Sequence, residues 1–190
     1  RVMKSIGGYI EKRLKLVVNR EKSQVARSDR VKFLGMTIVG ATIAISHQAL
    51  QSAMAKVKEL TPRGTHLTLE TSIERINSWY VGWSGYFAMT YYPAQLHKIE
   101  AHIRRRLRSR LVDQQKSRRN LFRKLIKRGV PRRQAARAVF SNKARWALSN
   151  TFAVTRAYPV GWFVGDMGQA IRSNKQLGHW FDVDRWIRLT

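Results

Sequence analysis

Three groups of side chains in this chain have the types and spacing to do chemistry. The first is Lys22, in the polar turn Asn19-Arg20-Glu21-Lys22-Ser23 that follows the apolar run Leu16-Val17-Val18. A lysine held near a leaving oxyanion can donate a proton to it or balance its charge. A lysine in a turn can equally be a solvated side chain, and the residues alone leave both readings open. The second group is Phe33-Leu34-Gly35-Met36, which reads as a strand edge. The missing Cβ of Gly35 would let a sugar-phosphate come close there, although the same pattern suits an ordinary core strand. The third group is a basic run, in which Arg104, Arg105, Arg106, Arg108 and Arg110 flank the apolar stripe Ile103, Leu107 and Leu111. Arginine's planar fork suits bidentate phosphate contacts. Lys116, Arg118, Arg119, Arg123, Lys124, Lys127, Arg128, Arg132, Arg133, Lys143 and Arg145 extend that surface. Asn19 joins them as a polar residue that shapes the Lys22 turn.

Charge decides what such a surface is for. The chain holds 37 Lys plus Arg against 11 Asp plus Glu, a net +26 over 190 residues, and between Lys98 and Arg145 only Glu100 and Asp113 are acidic. A folded body with that charge repels itself unless a polyanion is bound, so RNA or DNA is the expected partner. An anionic membrane is the rival, but no stretch reaches the roughly 18 apolar residues of a span. The absence of cysteine excludes a disulfide framework and a Cys-ligated zinc site. His47, His66, His97, His102 and His179 show no ligand spacing with carboxylates, and Asp182-Val183-Asp184 reads as surface or capping rather than as a metal pair. No metal or cofactor is expected in this chain.

The elements that must position these groups follow from periodicity. Val2, Ile6, Ile10 and Leu14 recur every four residues, which predicts a helix weakened by Gly7-Gly8 and ending before a buried strand at 16–18. Residues 32–46 read as a β-hairpin, with strands at 33–39 and 42–45 and a turn at Gly40-Ala41. From Ser46, a plausible N-cap, Leu50, Ala53, Met54, Val57 and Leu60 line one helical face, which Thr61-Pro62-Arg63-Gly64 ends. A second helix opens near Thr68 with Ile73, Ile76, Trp79, Tyr80, Trp83 and Phe87 inward. A third has Pro93 in its first turn and the stripe Leu96, Ile99, Ile103, Leu107 and Leu111. These three predict a small bundle. Leu121, Phe122, Leu125 and Ile126 give a further helical face, Gly129-Val130-Pro131 breaks it, and a helix restarts over 132–140. From Trp146 the chain reads as aromatic and loop-rich. The expected class is mainly α: an N-terminal α/β remnant with a hairpin (1–45), a helical bundle (46–112) and a basic helical region (113–190).

Two pairs of motifs carry a family resemblance. Asn19-x-x-Lys22-Ser23 followed by Phe33-Leu34-Gly35-Met36 resembles the last two palm motifs of a reverse transcriptase of the group II intron kind. Trp79-Tyr80-Val81-Gly82-Trp83-Ser84-Gly85-Tyr86-Phe87 resembles the aromatic-glycine helix of that family's maturase domain, which doubles as the polymerase thumb, and Trp146-Ala147-Leu148-Ser149 echoes its DNA-binding region. In that family a Tyr-x-Asp-Asp metal site lies just upstream, and the sequence from Arg1 does not contain it. The resemblance implies the back end of an RNA-directed DNA polymerase that also helps its intron splice. It implies Lys22 near the triphosphate, a primer grip at Phe33 to Met36, magnesium at the missing aspartates, and RNA, DNA primer or target and the catalytic part as partners. It implies a bacterial cytoplasmic location. Two other readings stay open: a stand-alone RNA-binding splicing factor, and a reverse transcriptase of the same descent recruited to repair or phage defence.

Overall fold

The computed structural model describes residues 2–27 and 30–163. Within them the protein is mainly helical with one three-stranded antiparallel sheet. Helix α1 (Val2–Arg13) forms where its period places it, yet buries none of its residues. Residues 16–18 correct the expected buried strand: they pair with nothing in the sheet, Leu16 is exposed and Val17 is 95% exposed. An apolar run becomes a strand only where a neighbour offers ladder bonds and side-chain partners. None of the strands among the described residues lies beside it.

The hairpin is a three-stranded meander of β1 (Lys32–Phe33), β2 (Met36–Val39) and β3 (Thr42–Ile45). What reads as one strand over 33–39 is broken at Leu34 and Gly35, whose φ values of +50° and +76° make a two-residue turn that pairs Phe33 with Met36. Two successive positive φ values suit the right-handed twist of a tight hairpin. The second turn falls at Gly40-Ala41 as expected, with Gly40 at φ +61° and Val39 paired with Thr42.

Side-chain caps start the long helices. Ser46 Oγ accepts the Ala49 N–H at 3.2 Å to open α2 (His47–Leu60), and Thr68 Oγ1 accepts the Thr71 N–H at 3.2 Å to open α3 (Leu69–Tyr86). A 3₁₀ turn (Phe87–Met89) then leads to α4 (Pro93–Asp113), with Pro93 in its first turn. Ser117 caps α5 (Arg118–Lys127), which ends in a Schellman motif. Gly129 (φ +79°) donates to the Ile126 carbonyl at 2.9 Å, and Val130 to that of Leu125 at 3.1 Å. After Pro131 comes α6 (Arg132–Val139). The loop-rich reading beyond Trp146 is corrected by α7 (Arg145–Leu148) and α8 (Phe152–Ala157). Helices of one turn or so are too short to display a period, and packing rather than propensity holds them. Trp180, Trp186, His179 and Asp182-Val183-Asp184 lie outside the described residues.

One core runs through the molecule. Ala53 and Val57 of α2, Ile73, Ile76 and Tyr80 of α3, Ile99, Ile103, Leu107 and Leu111 of the α4 stripe, Leu121 and Leu125 of α5, Val139 of α6 and Val154 of α8 belong to a single buried cluster. Helices on both sides of residue 112 share it. A second cluster of Met36, Ile45, Phe87 and Leu96 seats the sheet, and Leu50 and Trp83 pack against both. Gly82 and Gly85 do not provide the close helix approach that glycines on this helix suggest, since a Cβ at either would meet nothing within 4 Å.

The core also holds a polar pair. Tyr80 is fully buried and donates its hydroxyl to Glu100 Oε1 at 2.9 Å, while Arg104 lies 3.5 Å from the other carboxylate oxygen. Burial pushes the Glu100 carboxyl above its usual range, against the opposing pull of Tyr80, Arg104 and His97. The fold therefore favours the neutral acid. That contribution is complete below the ordinary carboxylate range and is lost as pH rises through the folded-state value. Glu100→Gln should flatten the fall in melting temperature across that interval, whereas Glu100→Leu, which strands the Tyr80 hydroxyl, should cost about 1–3 kcal/mol. A Glu100→Gln profile that parallels the parent would remove Glu100 from the titration.

Candidate nucleic-acid interface

The Lys22 turn is built locally. Asn19 Oδ1 accepts the Lys22 backbone N–H at 3.1 Å, an Asx-type closure of the turn, and the Lys22 side chain is exposed. Val18, Arg20 and Ser23 line a depression with Met3, Gly7 and Glu11 of α1, so this turn sits against the first helix. Among the described residues no hydrogen bond or ion pair joins Lys22 to the hairpin.

The four hairpin residues divide in two. Phe33 and Leu34 are 70% and 66% exposed, while Met36 is buried in the sheet's cluster. Gly35 packs closely against the protein itself. Its Cβ position lies 3.1 Å from Phe87 Cζ, so the close neighbour is the protein's own ring, and its φ of +76° would strain any other residue. Tyr86 donates its hydroxyl to the Leu34 carbonyl at 2.9 Å, and Ser46 N–H to that of Gly35 at 2.9 Å. The aromatic ladder behind this contact runs from Trp79 to Trp83 (5.8 Å between ring centroids) and on to Phe87 (4.7 Å). The turn is thus docked from behind and presents Phe33 and Leu34 outward.

The arginines of α4 are committed inside the protein, not lined up along a free face. Arg106 donates Nε to Thr61 Oγ1 at 2.9 Å and its terminal nitrogen to the Lys58 and Thr61 carbonyls, at the C-terminus of α2. Arg110 donates to the Leu67 carbonyl and Ser72 Oγ at the start of α3. Arg108 is buried. It donates Nε to the Tyr158 carbonyl at 2.9 Å and lies 5.5 Å from the Phe163 ring, and burial, with Arg104 nearby, pushes its pKa down to about 10, still charged at neutral pH. Arg105 stacks on Trp146 at 4.0 Å and donates to its carbonyl, while His102 meets the same ring edge at 5.9 Å. Burial first, then Arg106 and Arg105, lower the His102 pKa.

The same use recurs beyond α4. Arg118 donates to the carbonyls of Val139 (3.0 Å) and Ser141 (2.6 Å) at the end of α6. Arg128 donates to the Ala157 carbonyl at 3.1 Å and stacks on Tyr158 and Trp162 at the end of α8. Arg145 pairs with Asp113. Of the expected set, Lys116, Arg119, Arg123, Lys127, Arg132, Arg133 and Lys143 remain exposed, with Lys124 half-buried. Lys58 and Arg63, outside that set, flank Arg106 across a surface depression. A basic residue at the end of an amphipathic helix carries no mark of what lies opposite it, so sequence carried no signal that would have found these two. Among the described residues no group of three or more His, Asp or Glu could hold a metal ion, and no helix is long and apolar enough to cross a membrane.

Arg108 and Arg119 separate buried from solvent-facing cations. Arg108→Ala should lower stability by about 1.5–3 kcal/mol through the lost charged hydrogen bond, and Arg108→Lys should restore only part of it. Arg119→Ala, at an exposed site, should shift stability by no more than about 0.5 kcal/mol. Equal melting temperatures for the two alanine variants would contradict the assignment. No curated protein matches the chain. Residues 50–129, from within α2 to the glycine that ends α5, match the model for the group II intron, maturase-specific domain.

Proposed function

We propose that the chain is the nucleic-acid-binding back end of a group II intron reverse transcriptase/maturase. It grips intron RNA and the template-primer duplex, while the metal-binding aspartates and their magnesium belong to another part of the polymerase, working in the bacterial cytoplasm. The maturase-specific match supports the RNA role. The observation that carries the reading is charge left over after folding. The fold uses many arginines internally, yet pairs them mostly with neutral carbonyls, so their positive charge is not cancelled locally and the chain keeps its net +26. Exposed cations then stand on α5, on α6 and in the loops around them. Phe33 and Leu34, held outward by the docked turn, support a primer-grip role for the hairpin.

If six to ten of these cations meet phosphates, RNA affinity should fall by about three to five decades between roughly 50 and 200 mM salt. Binding measured across that range that stays flat would overturn the electrostatic reading.

The Lys22 assignment is tested in a polymerase that contains this segment together with its aspartates. With Lys22 as proton donor to the leaving pyrophosphate, Lys22→Ala should slow single-turnover nucleotide addition by about a hundredfold or more, with duplex affinity nearly intact. Lys22→Arg should recover only part of the rate, since a guanidinium keeps the charge but gives up its proton poorly. If the whole loss lies in duplex binding, Lys22 is a phosphate contact and nothing more.

A further inference from the structure

Two shallow depressions on this surface meet at one side chain. The first, of about 590 Å³, lies between the end of α2 and α4, and its lining includes Lys58, Glu59, Arg63, Arg106 and Arg145. The second, of about 210 Å³, lies where the α4–α5 connection faces α7 and includes Asp113, Lys116, Arg118, Lys143 and again Arg145. Arg145 lines both, so a ligand lying across that side chain would occupy the two as one groove.

Its charge is lopsided, and both of its acids are already engaged: Glu59 with Lys56 at 2.5 Å, and Asp113 with Arg145. The cations are of two kinds. Arg106 and Arg118 are pinned by carbonyl oxygens, which fix their positions without cancelling their charge. Lys58, Arg63, Lys116 and Lys143 make no side-chain hydrogen bond or ion pair among the described residues. Burial and the neighbouring Arg145 both lower the Arg106 pKa, so two guanidiniums are held together against their repulsion. Lys116 stands at φ +53°, a conformation that costs a side-chain-bearing residue energy and that glycine would adopt freely. A concave row of cations, part rigid and part free, suits an extended anion with regularly spaced charges.

We propose that this groove is a track for a phosphodiester backbone, running from the end of α2 past α7 to the start of α5, in which Arg145 passes from Asp113 to a phosphate as the strand seats. The inference rests on the nucleic-acid reading above and adds where on the surface the strand lies.

The test measures binding of a labelled RNA hairpin, and of a DNA hairpin of the same sequence, to the full chain across roughly 50–200 mM salt. Replacing Lys58, Lys116 and Lys143 together by Gln should reduce the slope of log affinity against log salt by about three, one for each lost phosphate contact. Asp113→Asn, which removes the carboxylate that Arg145 must leave, should raise affinity severalfold at a given salt with the slope near the parent's, since Arg145 meets a phosphate in both. A charge-matched control, with exposed Arg75, Lys98 and Arg156 changed to Gln, should stay near the parent slope. Lys116→Gly should hold or raise the melting temperature while lowering the slope by about one, an opposition that a structural lysine would not produce. Single lysine variants, each worth about one unit of slope, serve if the triple variant does not fold. Equal slopes on the two hairpins identify the phosphodiester itself as ligand, and a slope on RNA alone identifies RNA; either supports the track. A groove triple indistinguishable from the control overturns the track while leaving RNA binding by the chain intact, and so does an Asp113→Asn affinity no higher than the parent's. Competition by polyglutamate as strong as by RNA assigns the groove to an acidic polypeptide and overturns it. A parent chain that binds neither hairpin overturns the functional reading and the track together.

Discussion

The structure depends on guanidinium groups bound to backbone carbonyls. The last four carbonyls of every helix lack partners within it and carry the negative end of the helix dipole. In this chain arginines from elsewhere supply those partners: Arg106 at the end of α2, Arg118 at the end of α6, and Arg108 with Arg128 at the end of α8. A protein short of carboxylates can tie few of its helices together with ion pairs. Carbonyls serve instead, and because they are dipoles rather than charges they leave the cation's field outside the molecule largely intact. The fold and its affinity for a polyanion therefore draw on the same side chains without competing for them.

The core answers a different need. The α4 stripe is the axis against which α2, α3, α5 and α8 all bury residues, and α7 lies along it through Arg105 on Trp146 and Arg145 on Asp113. Where that axis meets α3 the chain accepts a buried tyrosine–glutamate pair, satisfied within itself. A polar pair with fixed partners constrains how two helices register, which apolar contacts alone do loosely.

How much of this could be read in advance depended on the range of the interaction. Helix starts at Ser46, Thr68 and Pro93 were legible because a cap acts within four residues, and the α4 stripe because a long helix repeats its period several times. The turn at Leu34-Gly35 was hidden by a leucine at positive φ, a residue type that gives no turn signal. The lone apolar run at 16–18 imitated a strand because a local pattern does not say whether a neighbour exists. The arginines were legible as a charge and illegible as contacts. Arg106 and Thr61 stand 45 positions apart, and only the packing of α2 on α4 brings them together. For the candidate interface, sequence thus showed the charge and the helices that carry it, and the fold decided which cations remain exposed.

The docking of the β1–β2 turn has a mechanical consequence. Its backbone is tied to the end of α3 by the Tyr86 hydroxyl and seated on the Phe87 ring, and a glycine at the contact leaves no slack between them. The turn and the helix end therefore move as one lever, with the aromatic ladder as its arm and the outward Phe33 and Leu34 as its tip. Any rotation of α3 is delivered to whatever those two side chains touch, and pressure on them is felt back along the helix as far as Trp79.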